Sequence, residues 1–425
     1  MEAELVTVGT ELLLGFTLDS NSTEIATALA EIGVRVTRRT TVADEADQIG
    51  DAVGAALQRT GFVIVTGGLG PTRDDVTKRA VAALLDVPLE LDEAYLRILE
   101  ARFAEHFRRG PMPPSNRSQA EVPRGATVLP NQHGTAPGLW VEDPRGAVVL
   151  LPGVPHEMRA LMQAEVVPRL LARDAASGGM GVITSSVTLR TAGITESGLA
   201  TRLNAIEEAI EGVTLAYLPG FEGVDLRVTA WSVPADRAER TLTRAVERLR
   251  DALGSRCYGL EPTDLAGVVL DQLRARAATL AVAESCTGGL IGARVTAIPG
   301  SSDVFVGGVV CYSDASKVRD LDVPEALLAH HGAVSEQVVR AMAKGVARRF
   351  DADAAIAVTG IAGPTGGTAE KPAGTVWLAA RMGSEVRARR SRLPGPRGEV
   401  RARAAQAGLN LLRRLLLEGD AREAG

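Results

Sequence analysis

Cysteine and histidine are scarce in this chain of 425 residues. Its three cysteines, Cys257, Cys286 and Cys311, cannot form a paired disulfide framework, which excludes a disulfide-stabilised scaffold and favours a reducing compartment. Only five histidines occur, and there is neither a His-Glu-x-x-His nor a Cys-x-x-Cys motif. A zinc site is therefore not expected, and any metal would be held by carboxylates.

Long apolar runs and a basic charge excess are also missing. No apolar stretch approaches the ~20 residues that cross a bilayer, and Met1 to Glu4 lacks the basic start of a signal peptide. We therefore expect a cytoplasmic protein without a membrane partner. The net charge of −5 gives no reason to expect nucleic-acid binding. A local arginine excess from Arg381 to Arg414 is interpreted as solvated surface, with an anion-binding patch as the alternative.

The order of strand-like and helix-like segments predicts an α/β fold with two three-layer α/β/α domains. Residues 1–172 alternate the two patterns, which is typical of a parallel sheet covered by helices. A flexible, small-residue linker is predicted from Ala175 to Gly181. Residues 181–254 form a small α+β module, and a second α/β domain covers residues 262–418.

A serine lies at a strand-to-helix turn in the second α/β domain. Ser285 follows an apolar run and is followed by Thr287, Gly288 and Gly289, whose backbone N–H groups are candidates for an oxyanion site. Tyr312 and Lys317 come at the end of the next strand-like run. A serine nucleophile with a lysine-centred base, relayed through the tyrosine, indicates amide hydrolysis without a metal or other cofactor.

Other interpretations of these residues remain open. Ser285 could be a helix N-cap, and Tyr312 and Lys317 could be an ordinary core-edge aromatic and a surface lysine. Cys286 is a rival nucleophile, because thiols are intrinsically better nucleophiles than hydroxyls. Glu284 is interpreted as a structural residue or one that orients the site.

A second glycine-rich loop follows the strand-like run Ala354 to Val358. Gly360 and Gly363 in this loop are predicted to let the backbone approach a substrate closely, with a simple turn as the alternative. Arg397, ahead of the last helix, is a further candidate for substrate binding.

The first domain carries its own candidate site for a nucleotide. Ligands of open α/β sheets bind at carboxyl ends of strands, where this chain places a glycine-rich loop. Asp74, Asp75 and Glu157 could share a divalent cation (Mg²⁺, Mn²⁺ or Co²⁺) that bridges a pyrophosphate. An N-cap role for Asp74, and nucleotide binding without cleavage, are the alternatives. The other candidates in this site are Glu11, Gly67, Gly68, Gly70, Asn116, Gln119, Gly134 and Thr135.

Several long motifs, in order along the chain, resemble those of the CinA family. The C-terminal motifs are Ala283 to Gly289, Tyr312 to Lys317, His331 to Ser335, Gly360 to Pro364 and Lys371 to Val376. The N-terminal motifs are Val8 to Leu13, Thr66 to Asp75, Asn131 to Gly138 and Leu151 to Met158. The chain departs from the family pattern at two positions. Gly395-Pro396-Arg397 stands where the family usually has Gly-Asp-Arg, and Thr365 stands where an acidic residue is common.

The resemblance implies two activities on small nucleotides. The C-terminal domain is expected to convert nicotinamide mononucleotide to nicotinic acid mononucleotide and ammonia. The N-terminal domain is expected to resemble the molybdopterin-binding fold and to act as an ADP-ribose pyrophosphatase. The middle module is expected to resemble a KH domain that lacks a Gly-x-x-Gly loop with the basic neighbours that RNA-binding versions use, and a homodimer is expected. The alternatives are a nucleotide-binding regulator of DNA uptake or repair, and a molybdopterin-binding protein.

Overall fold

The computed structural model describes residues 1–106, 112–176 and 181–423. Most of the predicted linker, and the first part of a Pro- and Gly-dense loop predicted over residues 109–116, lie outside these ranges. The chain divides into two compact units, Met1–Ser185 with Ala230–Arg240 and Ser186–Thr229 with Thr241–Gly425. Within the described ranges, no helix is both long and apolar enough to span a membrane.

The first unit contains a six-stranded sheet with helices on both faces. The six strands of this sheet are β1 (Glu2–Val8), β2 (Arg35–Val42), β3 (Phe62–Thr66), β6 (Thr127–Leu129), β7 (Gly138–Asp143) and β8 (Gly146–Leu151), while β4 (Leu89–Leu91) and β5 (Glu121–Pro123) form a separate two-stranded sheet. Its helices are α1 (Thr10–Leu13), α2 (Asn21–Glu31), α3 (Ala46–Thr60), α4 (Thr77–Leu84), α5 (Glu93–His106), α6 (Pro155–Leu161) and α7 (Val167–Ala176). A 3-10 helix covers Pro114–Ala120, and a π-helical turn, Met162–Val166, joins α6 to α7.

Alternate residues of each central strand of this sheet enter opposite cores. In β3, Ile64 packs with α2, α6 and α7, whereas Val63 and Val65 pack with α3 and α4. Strand side chains point alternately to the two faces, so strands that are apolar at every position require helices on both sides. The predicted three-layer arrangement is therefore confirmed.

The prediction of a purely parallel sheet is wrong at one side. The strand order is β2-β1-β3-β8-β7-β6, and the first four strands run parallel. Strands β7 and β6 are antiparallel to their neighbours. Only Pro144 and Arg145 separate β7 from β8, and a connection of two residues can join only antiparallel strands.

The middle module is a four-stranded sheet with two helices. Its elements are β9 (Val182–Thr191), α8 (Glu196–Glu207), β10 (Thr214–Pro219), β11 (Val224–Pro234), α9 (Ala235–Leu253) and β12 (Cys257–Leu260). The sheet order is β10-β11-β9-β12. Thr195 caps α8 by accepting a hydrogen bond from the Gly198 N–H, as expected for a threonine before a helix.

The C-terminal domain has a five-stranded sheet. Its strands are β13 (Leu280–Glu284), β14 (Phe305–Val310), β15 (Ala354–Gly360), β16 (Thr375–Met382) and β17 (Glu385–Arg392). Its helices are α10 (Leu265–Arg274), α11 (Leu290–Thr296), α12 (Asp314–Leu321), α13 (Glu325–His331), α14 (Glu336–Phe350) and α15 (Arg397–Glu423). The order is β14-β13-β15-β16-β17, with the first three strands parallel and the last two antiparallel.

This second sheet is also covered on both faces, by different kinds of side chain. Larger residues such as Ile356 and Val358 face α10, α11 and α15. Alanines of the same strands, such as Ala355 and Ala357, face α14. Small side chains let a helix lie close to the sheet, so the alternating pattern along β15 sets the spacing of the layers.

Candidate active sites

The carboxyl ends of three parallel strands bring the C-terminal motifs to one edge of the sheet. Ser285 follows β13 directly, and its N–H donates to the Val358 carbonyl of β15 at 2.9 Å. On the other side, the Cys311 N–H donates to the Glu284 carbonyl at 2.8 Å. Tyr312 therefore begins its loop beside Ser285, and Gly360 ends the third strand at the same edge.

The environment of the two candidate nucleophiles distinguishes between them. The Ser285 residue is 7% exposed, and its hydroxyl makes no hydrogen bond within the described ranges. It is not the N-cap of α11, because Gly289 has that position. Burial raises the pKa of the Cys286 thiol to about 12, so this thiol stays protonated near neutral pH. Since the thiolate is the reactive form, the geometry favours Ser285.

The Glu284 carboxylate occupies the start of α11. It is buried, and it accepts hydrogen bonds from the N–H groups of Gly289 (3.1 Å), Ile291 (3.1 Å) and Gly292 (2.8 Å). The carboxylate satisfies N–H groups that a helix start otherwise leaves unpaired. Glu284 therefore fixes the turn that carries Ser285, in agreement with an orienting role.

This arrangement corrects the predicted oxyanion site. The Gly289 N–H is used by Glu284, and the Gly288 N–H donates to the Ser285 carbonyl at 3.1 Å. Of the three predicted donors, only the Thr287 N–H has no hydrogen-bond partner among the described residues. The N–H of Cys286, which was not predicted as a donor, also has none there. The two glycines instead supply the left-handed backbone of the turn, with φ of 61° and 93°.

Arg401 supports the same turn and was missed by sequence reasoning. Its Nε and Nη2 donate to the Thr287 carbonyl at 3.2 and 2.8 Å. Thr287 is fully buried, and its hydroxyl oxygen has no hydrogen-bond partner among the residues described. Arg401 lies four positions after Arg397 in α15, and this spacing places two side chains on one helix face. This spacing was the signal in the sequence that could have indicated Arg401.

Lys317 is buried, but it does not contact Ser285. Its Nζ lies 3.3 Å from the Tyr312 carbonyl oxygen, 3.4 Å from that of Ser313 and 3.2 Å from Asp314 Oδ1. Three acceptors match the three protons of an ammonium group. Lys317 Nζ therefore makes no hydrogen bond to Ser285 among the described residues, and its role as the base, relayed through Tyr312, stays a prediction.

Tyr312 and Arg397 form a second contact across this edge. The Tyr312 side chain is exposed, and its hydroxyl accepts a hydrogen bond from Arg397 Nη2 at 2.8 Å. Arg397 Nη1 donates to the Gly363 carbonyl at 3.1 Å. A cavity of about 660 Å³ adjoins these residues and is lined by Gly363, Ala373, Arg392 and the segment from Leu393 to Arg397.

The two glycines of the second loop have structural reasons for their identity. A Cβ on Gly360 would lie 2.8 Å from Val376 Cγ2 and 2.9 Å from the Thr375 carbonyl oxygen. Gly363 has a φ of 79°, which side chains rarely adopt. The predicted approach of their backbone to a substrate is therefore not needed to explain them, although the Gly363 carbonyl does hold Arg397.

The glycine-rich loop after β3 is packed against its own domain. A Cβ on Gly67 would lie 2.2 Å from the Val8 carbonyl oxygen, and one on Gly68 would lie 2.2 Å from Thr77 Oγ1. Gly70 leaves room for the Asp75 carboxylate, which accepts hydrogen bonds from the Thr72 N–H and hydroxyl. The N–H groups of residues 68 to 70 have no partner among the described residues.

A chain of amide side chains joins three of the other N-terminal candidates, and a separate amide contact holds Glu157 beside Gly134. Asn116 donates to Gln119 at 2.8 Å, and Gln119 donates to the Thr135 hydroxyl at 3.1 Å. Asn131 donates to the Glu157 carboxylate at 2.6 Å. That carboxylate occupies the space where Gly134 lacks a side chain, since a Cβ there would lie 2.0 Å from it.

The predicted metal ligands are not assembled. The carboxylate of Asp75 turns back onto Thr72, Asp74 is exposed, and Glu157 is bound by Asn131. Among the residues described, no three Asp, Glu, His or Cys side chains lie together as a metal site. The donor set expected from sequence therefore does not fit a bound ion.

Two further buried residues of this domain, Lys78 and Asn21, lie near these candidates. Lys78 is buried, and its Nζ donates to the Ser118 carbonyl at 2.5 Å. Burial lowers its pKa to about 8. Glu11 does not join the amide chain, and it lies beside a separate cavity that is also lined by Asp19 and Asn21. Neither Lys78 nor Asn21 has a distinctive sequence pattern.

Family models match the chain in three consecutive segments. A model described as "Probable molybdopterin binding domain" matches residues 4–172. One described as "Damage-inducible protein CinA KH domain" matches residues 186–259, and one described as "CinA C-terminal domain" matches residues 262–416.

Individual relatives extend over the whole chain. A CinA-like protein from Gemmatimonas aurantiaca is 51% identical and covers 100% of this chain and 98% of its own length. A putative competence-damage inducible protein from Symbiobacterium thermophilum is 44% identical, with coverage of 98% and 99%. A crystal structure of a CinA superfamily protein from Klebsiella pneumoniae is 38% identical, covers 36% of this chain and 96% of its own, and has a TM-score of 0.36. Identity at this level over the full length shows that the chain belongs to the CinA family.

Proposed function

We propose that the C-terminal domain is an amidohydrolase that converts nicotinamide mononucleotide to nicotinic acid mononucleotide and ammonia. The observation that carries this proposal is the Ser285 hydroxyl, which has no hydrogen-bond partner among the described residues and lies at a turn where the N–H groups of Cys286 and Thr287 likewise have none. A nucleophile beside paired N–H donors is the arrangement that acyl transfer requires.

The reaction proceeds through an acyl-enzyme. The Ser285 oxygen attacks the carboxamide carbon as its proton passes to a base, and the resulting oxyanion accepts hydrogen bonds from the two N–H groups. The C–N bond then breaks, and the nitrogen leaves as ammonia with a proton returned by the same group. Water hydrolyses the ester, which releases the acid and restores the serine.

Lys317 is the proposed base. In the structure its amine is held by two carbonyl oxygens and by Asp314, whose side chain is 61% exposed. Release of the exposed Asp314 contact, with loss of one ammonium proton to solvent, would let the neutral amine turn toward Ser285 and accept its proton, and catalytic contacts often form only in the substrate complex. Arg397 and Arg392, beside the large cavity, supply positive charge for the substrate phosphate.

Ammonia release from nicotinamide mononucleotide tests the proposal. We expect activity in wild type and in Cys286→Ala, and losses of more than about 1,000-fold in Ser285→Ala and Lys317→Ala. A hydroxylamine trap should capture an acyl-enzyme in wild type but not in Ser285→Ala. Full activity of Ser285→Ala, or absence of ammonia with wild type, would overturn the assignment.

A second activity is proposed for the N-terminal domain, namely binding and cleavage of the pyrophosphate of ADP-ribose. The N–H groups of residues 68 to 70, which have no partner in the described part of the chain, support it, because consecutive backbone N–H groups bind phosphate oxygens. Since the predicted carboxylates do not assemble, no step is assigned to a metal ion. The test is release of AMP from ADP-ribose with and without added Mg²⁺, Mn²⁺ or Co²⁺, and no AMP under any condition would leave this domain as a binding module.

A further inference from the structure

A small cavity opens at the point where the strand order of the N-terminal sheet reverses. Its volume is about 120 Å³, and it lies between the ends of β1 and β3, with Thr7 and Thr66 in its wall. The space equals that of about four water molecules in the liquid. Open α/β sheets bind ligands at such reversals, and neither the amide chain nor the glycine-rich loop uses this cavity.

Asn21, in the wall of this cavity, has a hydrogen-bond acceptor with no partner. The residue is only 8% exposed. Its Nδ2 donates to the Gly153 carbonyl at 2.8 Å and to the Thr66 hydroxyl at 3.1 Å. The Thr66 hydroxyl in turn donates to the Pro152 carbonyl at 2.9 Å. Because a carbonyl can only accept, these contacts fix the amide orientation, and Oδ1 is left buried without a partner in the described ranges.

The rest of the wall contains two carboxylates that accept hydrogen bonds, beside the hydroxyl groups of Thr17 and Ser20, which can also donate. Glu11 and Asp19 contribute carboxylates, and no lysine or arginine of the described ranges lines the cavity. A phosphate is therefore excluded, because it would face two negative charges. Val8, Leu12 and Leu18 form an apolar side, and Leu18 is 90% exposed. The ligand must combine several hydrogen-bond donors with an apolar face.

We propose that this cavity binds a ribose ring of the nucleotide, with a ribose hydroxyl donating to Asn21 Oδ1. A ribose has vicinal hydroxyl donors and a carbon face that covers Leu18, and carboxylates and amides are the usual acceptors of ribose hydroxyls. A hydrated cation would satisfy the acceptors but would leave the apolar side uncovered. This inference rests on the proposed nucleotide binding by the N-terminal domain and adds the sugar subsite to it.

Calorimetric titration of the full chain tests the assignment with two probes that resist cleavage. One is α,β-methylene ADP-ribose, and the other is methylenediphosphonate, which has no sugar. We expect Asn21→Leu to weaken binding of the first about 10-fold, as for one lost hydrogen bond to a buried acceptor, and of the second less than 2-fold. Asn204→Leu, outside the cavity, is the matched control and should change neither.

Changing the ligand provides a second check, whose first arm uses wild type alone. With wild type, one monodeoxy form of the methylene ADP-ribose should bind about 10-fold more weakly, and with Asn21→Leu the same deletion should have no further effect. Equal binding of methylene ADP-ribose by wild type and Asn21→Leu would overturn the ribose subsite, although nucleotide binding would stand. The same holds if the effects of Asn21→Leu and of removing each ribose hydroxyl in turn were fully additive. Failure of wild type to bind either probe would overturn nucleotide binding itself.

Discussion

Arg397 Nη2 lies 2.8 Å from the hydroxyl oxygen of Tyr312, a residue 85 positions earlier in the chain. The same guanidinium donates to the Gly363 carbonyl, so it ties the loops after β14 and β15 together beside the large cavity. Pro396 replaces the aspartate that the family pattern places before this arginine. Arg397 therefore lacks a carboxylate neighbour at that position, and its charge is available to an anionic substrate.

Loss of this arginine should weaken substrate binding more than the chemical step. We expect Arg397→Gln to raise KM for nicotinamide mononucleotide about 100-fold with a change in kcat below about 5-fold, because charged hydrogen bonds of ~1.5–3 kcal/mol are lost. Tyr312→Phe should lower kcat/KM about 10-fold. Steady-state ammonia release measures the kinetic constants of both variants, and Arg414→Gln, in the same helix as Arg397, is the control. An unchanged KM in Arg397→Gln would contradict the role.

Although Glu284 lies beside the nucleophile, we expect its carboxylate to contribute substantially to the free energy of unfolding. Glu284→Gln replaces one acceptor oxygen by an NH₂ group, so at least one of the three N–H donors at the start of α11 loses its acceptor and faces another donor. We expect a loss of about 3 kcal/mol in the free energy of unfolding, since buried charged hydrogen bonds are broken. Glu325→Gln, at the exposed start of α13, is the matched control and should cost below ~1 kcal/mol. Denaturant unfolding followed by circular dichroism decides, and equal losses would contradict the finding.

Much of the layered architecture was predictable because it depends on local patterns. In strands such as Phe62–Thr66 the first four residues are all apolar, which indicates burial on both faces, and the alternation with helices indicates parallel strands. The antiparallel strands β6 and β7 were missed, because parallel order was assumed across the whole sheet. The two-residue connection after β7 was the local signal.

Site geometry was less predictable, because it depends on which polar atoms already satisfy one another. The sequence indicated that Ser285 follows a strand and that glycines follow it. It could not show that Glu284 would take the Gly289 N–H, nor that Lys317 would face the Tyr312 carbonyl. Likewise, Asn21 is one asparagine among several in the sequence, and only the structure shows that its Oδ1 has no partner within the described residues.

The glycine-rich loop after β3 offers a test of close packing. Gly67 has a φ of 108°, and its Cα faces the Val8 carbonyl, whereas Gly15 has a φ of 73° and open space around it. We expect Gly67→Ala to lower the free energy of unfolding by more than about 3 kcal/mol, from backbone strain and overlap together. Gly15→Ala should cost only ~1–2 kcal/mol, the penalty of the left-handed region alone. Similar losses in chemical denaturation would mean that the loop yields to the added methyl group.

Lys78 should give the chain a stability that rises with pH in the alkaline range. Its pKa is about 8 in the folded chain, below the ordinary value of 10.5, because burial disfavours the charged form. Between these two values the unfolded chain binds more protons at Lys78 than the folded chain does, so the free energy of unfolding increases with pH. The gain is about 3 kcal/mol at most, and below pH 8 the cost of burying the ammonium is present in full.

Replacement by methionine removes this titration. We expect Lys78→Met to unfold at a higher temperature than wild type at pH 7, and the difference to shrink as pH rises from 8 to 10.5. Differential scanning calorimetry of the full chain across this range measures it, with the exposed Arg79→Met as control, whose difference from wild type should stay constant. The Ser118 carbonyl loses its donor in Lys78→Met, which lowers the variant at every pH and leaves the slope unchanged. A difference that does not vary between pH 8 and 10.5 would show that the ammonium stays charged when buried.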